Sequence, residues 1–338
     1  MSALVVVDAD VLGRQRTGDE TYVRNLLREL GPLAREAGIR LAAVTRRPEL
    51  VPDSVEPIEL GTRSQELRMG LTLPRLLRRL GAGLVHTQYA VPLRASCPAV
   101  VTIHDLSFEG DAALMSRKDR FVFRRIVPRA VRRAARVLTV SERTKRDLVA
   151  RYGVPDERVV VTPNGVDPAF RPGEGTHDYV LAVGAIQERK NQLAALEAAN
   201  AAGLPLVVAG PTKDASLATE LRRRGARLEG YVSQERLAEL YRGAVCLVQT
   251  SRYEGFGLPV VEAMASGTPV VALREPALVE VARDAAVFVD EPHLADGIAR
   301  ARTERDRLVE AGLERARSFS WRATAVRTLA VYREILGA

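Results

Sequence analysis

Glu254 and Glu262 stand eight positions apart in the run Arg252-Tyr253-Glu254-Gly255-Phe256-Gly257-Leu258-Pro259-Val260-Val261-Glu262. Gly255 and Gly257 permit backbone torsions that other residues resist, so the first half reads as a loop whose main chain can approach a ligand closely. Pro259 is preorganised for a first helical turn, and the apolar residues after it read as a short helix over 259–265, ended by Gly267. A helix start offers free amides and partial positive charge, which suit a phosphate. One acid thus precedes an anion-friendly turn and the other lies one turn into it. That arrangement suits a ligand with a diphosphate in the middle and hydroxyl-rich groups at both ends.

Three further constellations could join this chemistry. Gly184-Ala185-Ile186-Gln187-Glu188-Arg189-Lys190-Asn191 follows an apolar run at 179–183. Arg189 offers a fork of donors and Lys190 a compact charge, and together they can neutralise two phosphates. Two cations at a helix start oppose the helix dipole, which favours a ligand-binding role over a plain surface one. Val100-Val101-Thr102-Ile103-His104-Asp105 is a strand that runs straight into His-Asp, placing His104 where parallel sheets bind ligands. Gly13-Arg14-Gln15-Arg16-Thr17-Gly18 lacks the Gly-x-Gly-x-x-Gly spacing and so argues against a nicotinamide cofactor. Thr17 and Glu20 there also fit a helix capping box.

The elements that must position these residues alternate along the whole chain. Strand patterns fall at 4–8, 40–45, 83–87, 99–103, 137–140 and 159–162, then at 179–183, 205–209, 227–229, 244–249, 269–273 and 286–289. Helix patterns lie between them at 20–30, 67–80, 121–135 and 142–152, then at 191–202, 217–224, 234–242, 259–265 and 293–318. Near-continuous apolar strands alternating with amphipathic segments predict an α/β protein with two parallel sheets, each covered on both faces. The turn-rich stretch Pro163-Asn164-Gly165-Val166-Asp167-Pro168 marks the boundary. We expect an N-terminal domain over 1–168 and a C-terminal one over 169–319. A final helix over 320–338, with a stripe of Val326, Leu329, Ala330 and Ile335, is expected to dock back on the first domain. Two such domains facing one another would leave a cleft at the strand ends.

Bulk properties narrow the function. A chain of 338 residues fits two domains. Its longest apolar runs are strand length and cannot span a bilayer. No secretory leader pattern opens the chain, so the cytoplasm is the expected compartment. Cys97 and Cys246 read as unpaired core thiols, and neither they nor the four histidines show metal-ligand spacing. Asp8-Ala9-Asp10 sits at the end of the first strand and reads as structural rather than as a metal pair. The formal charge of +8 lies wholly in residues 1–168, with 28 Lys and Arg against 20 Asp and Glu, while 169–338 balance. Much of the excess falls between Arg117 and Arg136, around Phe121, Val122, Phe123, Ile126 and Val127. That segment is a solvated helix face, or a surface for anionic lipid headgroups or an anionic acceptor. Few aromatics and no binding module argue against nucleic acid.

Taken together, these motifs and their order resemble glycosyltransferase family 4, of the two-Rossmann-domain GT-B type, over nearly the whole length. The resemblance implies that Glu254 holds hydroxyls of a donor sugar and Glu262 the ribose. It places the loop at Gly255, Phe256, Gly257 and Leu258 against sugar or phosphate. Arg189 and Lys190, after Gly184, would hold the diphosphate and stabilise the departing nucleoside diphosphate. His104 would lie beside the reacting end of the sugar, oriented by Asp105, with Asn164 in support. Gly18 would face a phosphate, although Asp19 and Glu20 replace the residues that usually follow. At 273–277 the family's glycines are replaced by Leu273-Arg274-Glu275-Pro276-Ala277, so contacts there are not carried over.

The expected activity is a metal-independent, retaining transfer of a hexose, with mannose from GDP-mannose favoured, to a glycan or lipid-linked acceptor. Bacterial surface polysaccharide or glycolipid assembly is the expected setting, with no cofactor beyond the nucleotide-sugar co-substrate. The basic first domain suggests peripheral contact with an anionic membrane. The alternative is a nucleotide-sugar-binding or regulatory protein without turnover. The joint presence of Glu254, Glu262, Arg189, Lys190 and His104 argues against it.

Overall fold

The computed structural model describes residues 2–14, 17–110 and 117–337. The chain divides into two compact units: one runs to Gly165 and takes in the segment from Trp321 onward, and the other spans Val166–Ser320. In the first unit β1 (Leu4–Asp8), β2 (Arg40–Thr45), β3 (Glu56–Glu59), β4 (Leu84–Gln88), β5 (Ala99–Ile103), β6 (Arg136–Thr139) and β7 (Val159–Val161) form one parallel sheet in the order 3-2-1-4-5-6-7. In the second, β8 (Tyr179–Val183), β9 (Leu206–Ala209), β10 (Arg227–Gly230), β11 (Ala244–Gln249), β12 (Val270–Leu273) and β13 (Val287–Val289) form another in the order 10-9-8-11-12-13. The central strands are apolar at nearly every position because helices cover both faces. All five residues of β1 and all six of β11 are buried. Each fully buried valine or leucine contributes about 1.5–3 kcal/mol, so these strands anchor their units.

Strand order sets where ligands can enter. In each sheet the chain winds outward, then returns to the other side of its first strand. The reversal falls between β1 and β4 in one sheet and between β8 and β11 in the other. Val5 pairs with Leu41 and Leu84, and Leu247 pairs with Leu181. Loops leaving neighbouring strands at a reversal diverge and open a crevice at the carboxyl ends.

Several elements differ from the sequence reading. Strand β3 reads Glu-Pro-Ile-Glu and is mostly exposed at the sheet edge, so it carries neither apolar alternation nor a strand-like run. The first helix runs Thr17–Glu36, straight through Gly31 and Pro32. A Cβ on Gly31 would lie 2.2 Å from the Ser54 hydroxyl, so glycine is there for close packing and not as a breaker. The expected helix over 67–80 starts at Gln65–Leu67, passes through a π-helical turn at Arg68–Thr72 and becomes regular only at Leu73–Leu80. The segment 293–318 is two helices, Leu294–Thr303 and Arg305–Ala316, broken at Glu304.

The C-terminal helix Trp321–Leu336 belongs to the first unit and packs along Thr17–Glu36. Its buried face carries Trp321, Ala325, Leu329 and Tyr332, while Val326 and Ala330 of the expected stripe are exposed. The Thr324 hydroxyl donates to the Pro163 carbonyl at 2.5 Å. Asp8 and Asp10 are committed to arginines. Fully buried Arg68 donates to Asp8 at 2.5 Å, and Asp10 accepts from Arg46 at 2.8 Å and from Arg14. Cys246 is buried and Cys97 half-buried, both as free thiols. No helix among the described residues is long and apolar enough to cross a membrane.

Candidate active site

In the second unit, the crevice between β8 and β11 brings together residues some sixty positions apart. Gly184 leaves β8 with φ +139°, and a Cβ there would sit 3.3 Å from the Lys190 side chain. The absent side chain lets the lysine stem lie across the strand end. Arg189 and Lys190 follow in a tight turn, Glu188–Lys190, closed by Asn191 in the left-handed region at φ 51°. That turn is tied to the β11 loop: Thr250 Oγ1 donates to the Lys190 and Asn191 carbonyls, each at 2.9 Å, and the Arg252 amide donates to the Arg189 carbonyl at 3.0 Å.

Both cations converge on Glu254. Lys190 Nζ lies 2.5 Å from Glu254 Oε1, and Arg189 Nη1 lies 3.5 Å from Oε2 while donating to the Tyr253 carbonyl at 2.5 Å. Gln249 Nε2 adds a third donor at 2.8 Å. Burial alone would push the Glu254 carboxyl up, but Lys190, then Arg189, outweigh it and hold the group at about 2. Two cations thus meet at one carboxylate in a nearly dry place, where charges act strongly on one another.

The following loop and helix treat the second acid oppositely. Of the two loop glycines only Gly257 adopts a positive φ, at +105°; Gly255 does not, so the freedom read for both is used at one. A Cβ on Gly257 would come within 2.7 Å of Leu278. Phe256 is buried with its ring edge-on to Phe319, leaving only its main chain for a ligand. The helix Leu258–Ala265 starts from Gly257 without a side-chain cap. On it Glu262 is buried and accepts from the Tyr241 hydroxyl at 2.8 Å. Burial pushes Glu262 up to about 7; the Tyr241 bond opposes this and Asp167 adds to it.

In the first unit, His104 directly follows β5 and is 8% exposed. Its ring is met edge-on by Tyr22 at 4.7 Å and obliquely by Tyr89 at 5.6 Å. Burial lowers its pKa, against the opposing charges of Asp19 and Asp105, and keeps the imidazole neutral. Among the described residues its buried Nε2 has no hydrogen-bond partner, a costly state for a polar atom. Asp105 does not hold the ring as expected. Its Oδ1 accepts from the Ser107 amide at 3.0 Å and hydroxyl at 2.9 Å, so it closes the next turn and reaches His104 only through its charge.

The remaining candidates fall as follows. Gly18 lies exposed in the first turn of Thr17–Glu36, and Gln15 and Arg16 are outside the described residues. Glu20 accepts from the Gly13 amide at 2.9 Å and from Arg24 at 2.6 Å, so its carboxylate reaches back over the loop as far as Gly13. Asn164 is buried with an unpartnered Oδ1 at the end of the first unit. Where glycines were expected, Glu275 caps the helix Pro276–Ala282 through the Ala277 and Leu278 amides. Sequence reasoning missed Gln249, Tyr241 and Tyr22. A glutamine ending the otherwise apolar β11 was a usable signal; the two tyrosines looked like core.

Two doubly wound parallel sheets, one with cations gathered on a carboxylate at its strand-order reversal, define a two-unit α/β protein of Rossmann type. Comparison with known proteins agrees. Residues 16–170 match the description "Glycosyltransferase Family 4" and residues 169–317 match "Glycosyl transferases group 1". The chain is 32% identical to the MMP alpha-(1->4)-mannosyltransferase of Mycolicibacterium hassiacum, over 76% of this chain and 69% of that protein. It is 30% identical to the D-inositol 3-phosphate glycosyltransferase of Thermomonospora curvata, over 98% and 90%. A glycosyltransferase structure from Rickettsia africae superposes with TM-score 0.75 over 99% of both chains at 16% identity, which speaks to the fold. The chain belongs to glycosyltransferase family 4, with the GT-B fold.

Proposed function

We propose that this glycosyltransferase moves a hexose, with mannose favoured, from a nucleotide-sugar to a glycan or lipid-linked acceptor with retention of configuration and without a metal. The observation that carries the reading is the convergence of Arg189 and Lys190 on Glu254 at the β8–β11 reversal. A guanidinium and an ammonium side by side suit a diphosphate, and Glu254 beside them suits sugar hydroxyls. The carboxylate of Glu262 faces the ribose hydroxyls. As the bond from the anomeric carbon to the diphosphate breaks, negative charge grows on the leaving oxygen, where the two cations stabilise it. The acceptor hydroxyl bonds to the anomeric carbon from the same face, and its proton passes to the departing phosphate. His104, neutral and with an unpartnered Nε2, serves the reacting end of the sugar. The similarity to a mannosyltransferase supports mannose, and with it GDP-mannose.

A thermal-shift panel of UDP, GDP, ADP and dTDP with their sugars tests this. A ligand present at a hundred times its Kd stabilises the folded form by about 2.7 kcal/mol. GDP and GDP-mannose should give the largest shifts, and a panel with no shift would sink the reading.

The same proposal includes peripheral contact with an anionic membrane. Exposed Leu67, Leu71 and Leu93 adjoin one another, Arg133 donates to the Leu93 carbonyl, and the basic helix Arg117–Arg133 continues the surface. Flotation with phosphatidylserine vesicles at low salt checks it; protein left at the bottom of the gradient would remove the membrane part.

A further inference from the structure

We propose that Tyr22 is a positioning residue for His104: its ring fixes the imidazole, and its hydroxyl is pinned by a buried polar chain that ends on the C-terminal helix. This rests on the reading of His104 given above. A histidine ring turns about a soft, roughly two-fold torsion, so neighbours must set its orientation. Among the described residues no hydrogen bond from the His104 ring to the Asp105 carboxylate is seen; Asp105 Oδ1 accepts from Ser107 instead. Packing is what remains. Tyr89 is half-buried, whereas Tyr22 is fully buried and meets His104 at 4.7 Å with the rings 80° apart, a favourable edge-to-face geometry.

Tyr22 is itself held on two sides. Its ring lies 6.2 Å from Trp321, and its hydroxyl lies 3.1 Å from Thr102 Oγ1. The same Oγ1 is 2.7 Å from His86 Nε2, and His86 Nδ1 is 2.5 Å from the Tyr332 hydroxyl. Tyr22, Thr102, His86 and Tyr332 are all 0% exposed. Burial pushes His86 down to about 3, so it stays neutral. A neutral imidazole offers one donor and one acceptor, which is what bridging two hydroxyls requires. A buried chain in which each neighbour is satisfied specifies a single arrangement. Thr102 is the next-to-last residue of β5, and His104 follows two positions on, just past the strand end. The chain thus ties helix Thr17–Glu36, β4, β5 and Trp321–Leu336 together beneath the imidazole.

The protein has four histidines, and the His104 imidazole Cε1–H resonance is the one lost in His104→Ala. In Tyr22→Leu that resonance should move or broaden, with His177 and His293 unmoved. Turnover of GDP-mannose should fall roughly tenfold in Tyr22→Leu and in His104→Ala, and the double variant should be no worse than His104→Ala alone. An unmoved His104 resonance, or losses that multiply, would overturn the proposal. If Tyr22→Leu does not fold, Tyr22→Phe keeps the ring and frees it from Thr102, and its smaller resonance change and roughly threefold loss must follow the same pattern. Full turnover in His104→Ala would instead remove the reading of His104, while the resonance still decides whether Tyr22 fixes the ring.

Discussion

Glu254 and Glu262 share one loop and helix, are equally buried, and have their pKa values shifted in opposite directions. Around Glu254, Lys190 and then Arg189 outweigh burial, and the carboxyl sits at about 2. Around Glu262 there is one tyrosine hydroxyl and a nearby Asp167, burial wins, and the carboxyl sits at about 7. Burial by itself therefore says little about a buried acid; the identity of its partners decides the sign. The first carboxylate is held ionised by the cations around it. The second gives up its charge readily, because a single hydroxyl opposes its burial.

That contrast gives opposite pH windows, which variants can break. For Glu254 the folded pKa lies below the unfolded value, so its contribution is present above about 4.5 and is lost as pH falls through about 2. Glu254→Gln leaves Lys190 and Arg189 without their counter-charge, at a cost of about 3–5 kcal/mol near neutrality. Turnover should fall by more than about a hundredfold. Denaturant melts at pH 7 and pH 3 check the window, because the gap to wild type must narrow at low pH. For Glu262 the folded pKa lies above the unfolded value, so ionisation costs stability increasingly between about 4.5 and 7. Glu262→Gln should match wild type at pH 5 and exceed it by about 1–3 kcal/mol at pH 8, while binding nucleoside diphosphate more weakly. Equal stability at pH 8 would remove the contrast. Tyr241→Phe should act least: it deletes the hydroxyl that donates to Glu262 and weakens nucleotide binding about fivefold, measured by calorimetry.

The sheets were legible because buried parallel strands are apolar at nearly every position, and β1, β5, β8 and β11 each read plainly. Edge strand β3 was not, since Glu56-Pro57-Ile58-Glu59 has neither feature. The first helix, read over 20–30, extends to Glu36, because sequence pattern does not see Ser54 packed against Gly31. At the site, spacing located Glu254, Arg189-Lys190 and His104. It could not show that Lys190 is bonded to Glu254, because the two are joined only through neighbouring strands. Adjacency to His104 did not reveal that Asp105 Oδ1 accepts from Ser107, two residues on. Tyr22 and Tyr241 sit on amphipathic helices, where periodicity shows which face is buried and not where a hydroxyl ends.

The central claim is that the cations at the β8–β11 crevice act on the leaving group and do more than hold the nucleotide. Lys190→Ala tests it by comparing kcat with the Kd for nucleoside diphosphate in the same preparation. We expect kcat to fall about 10²–10³-fold with Kd weakened by about tenfold or less. Equal losses in the two quantities would mean uniform binding and would contradict the account.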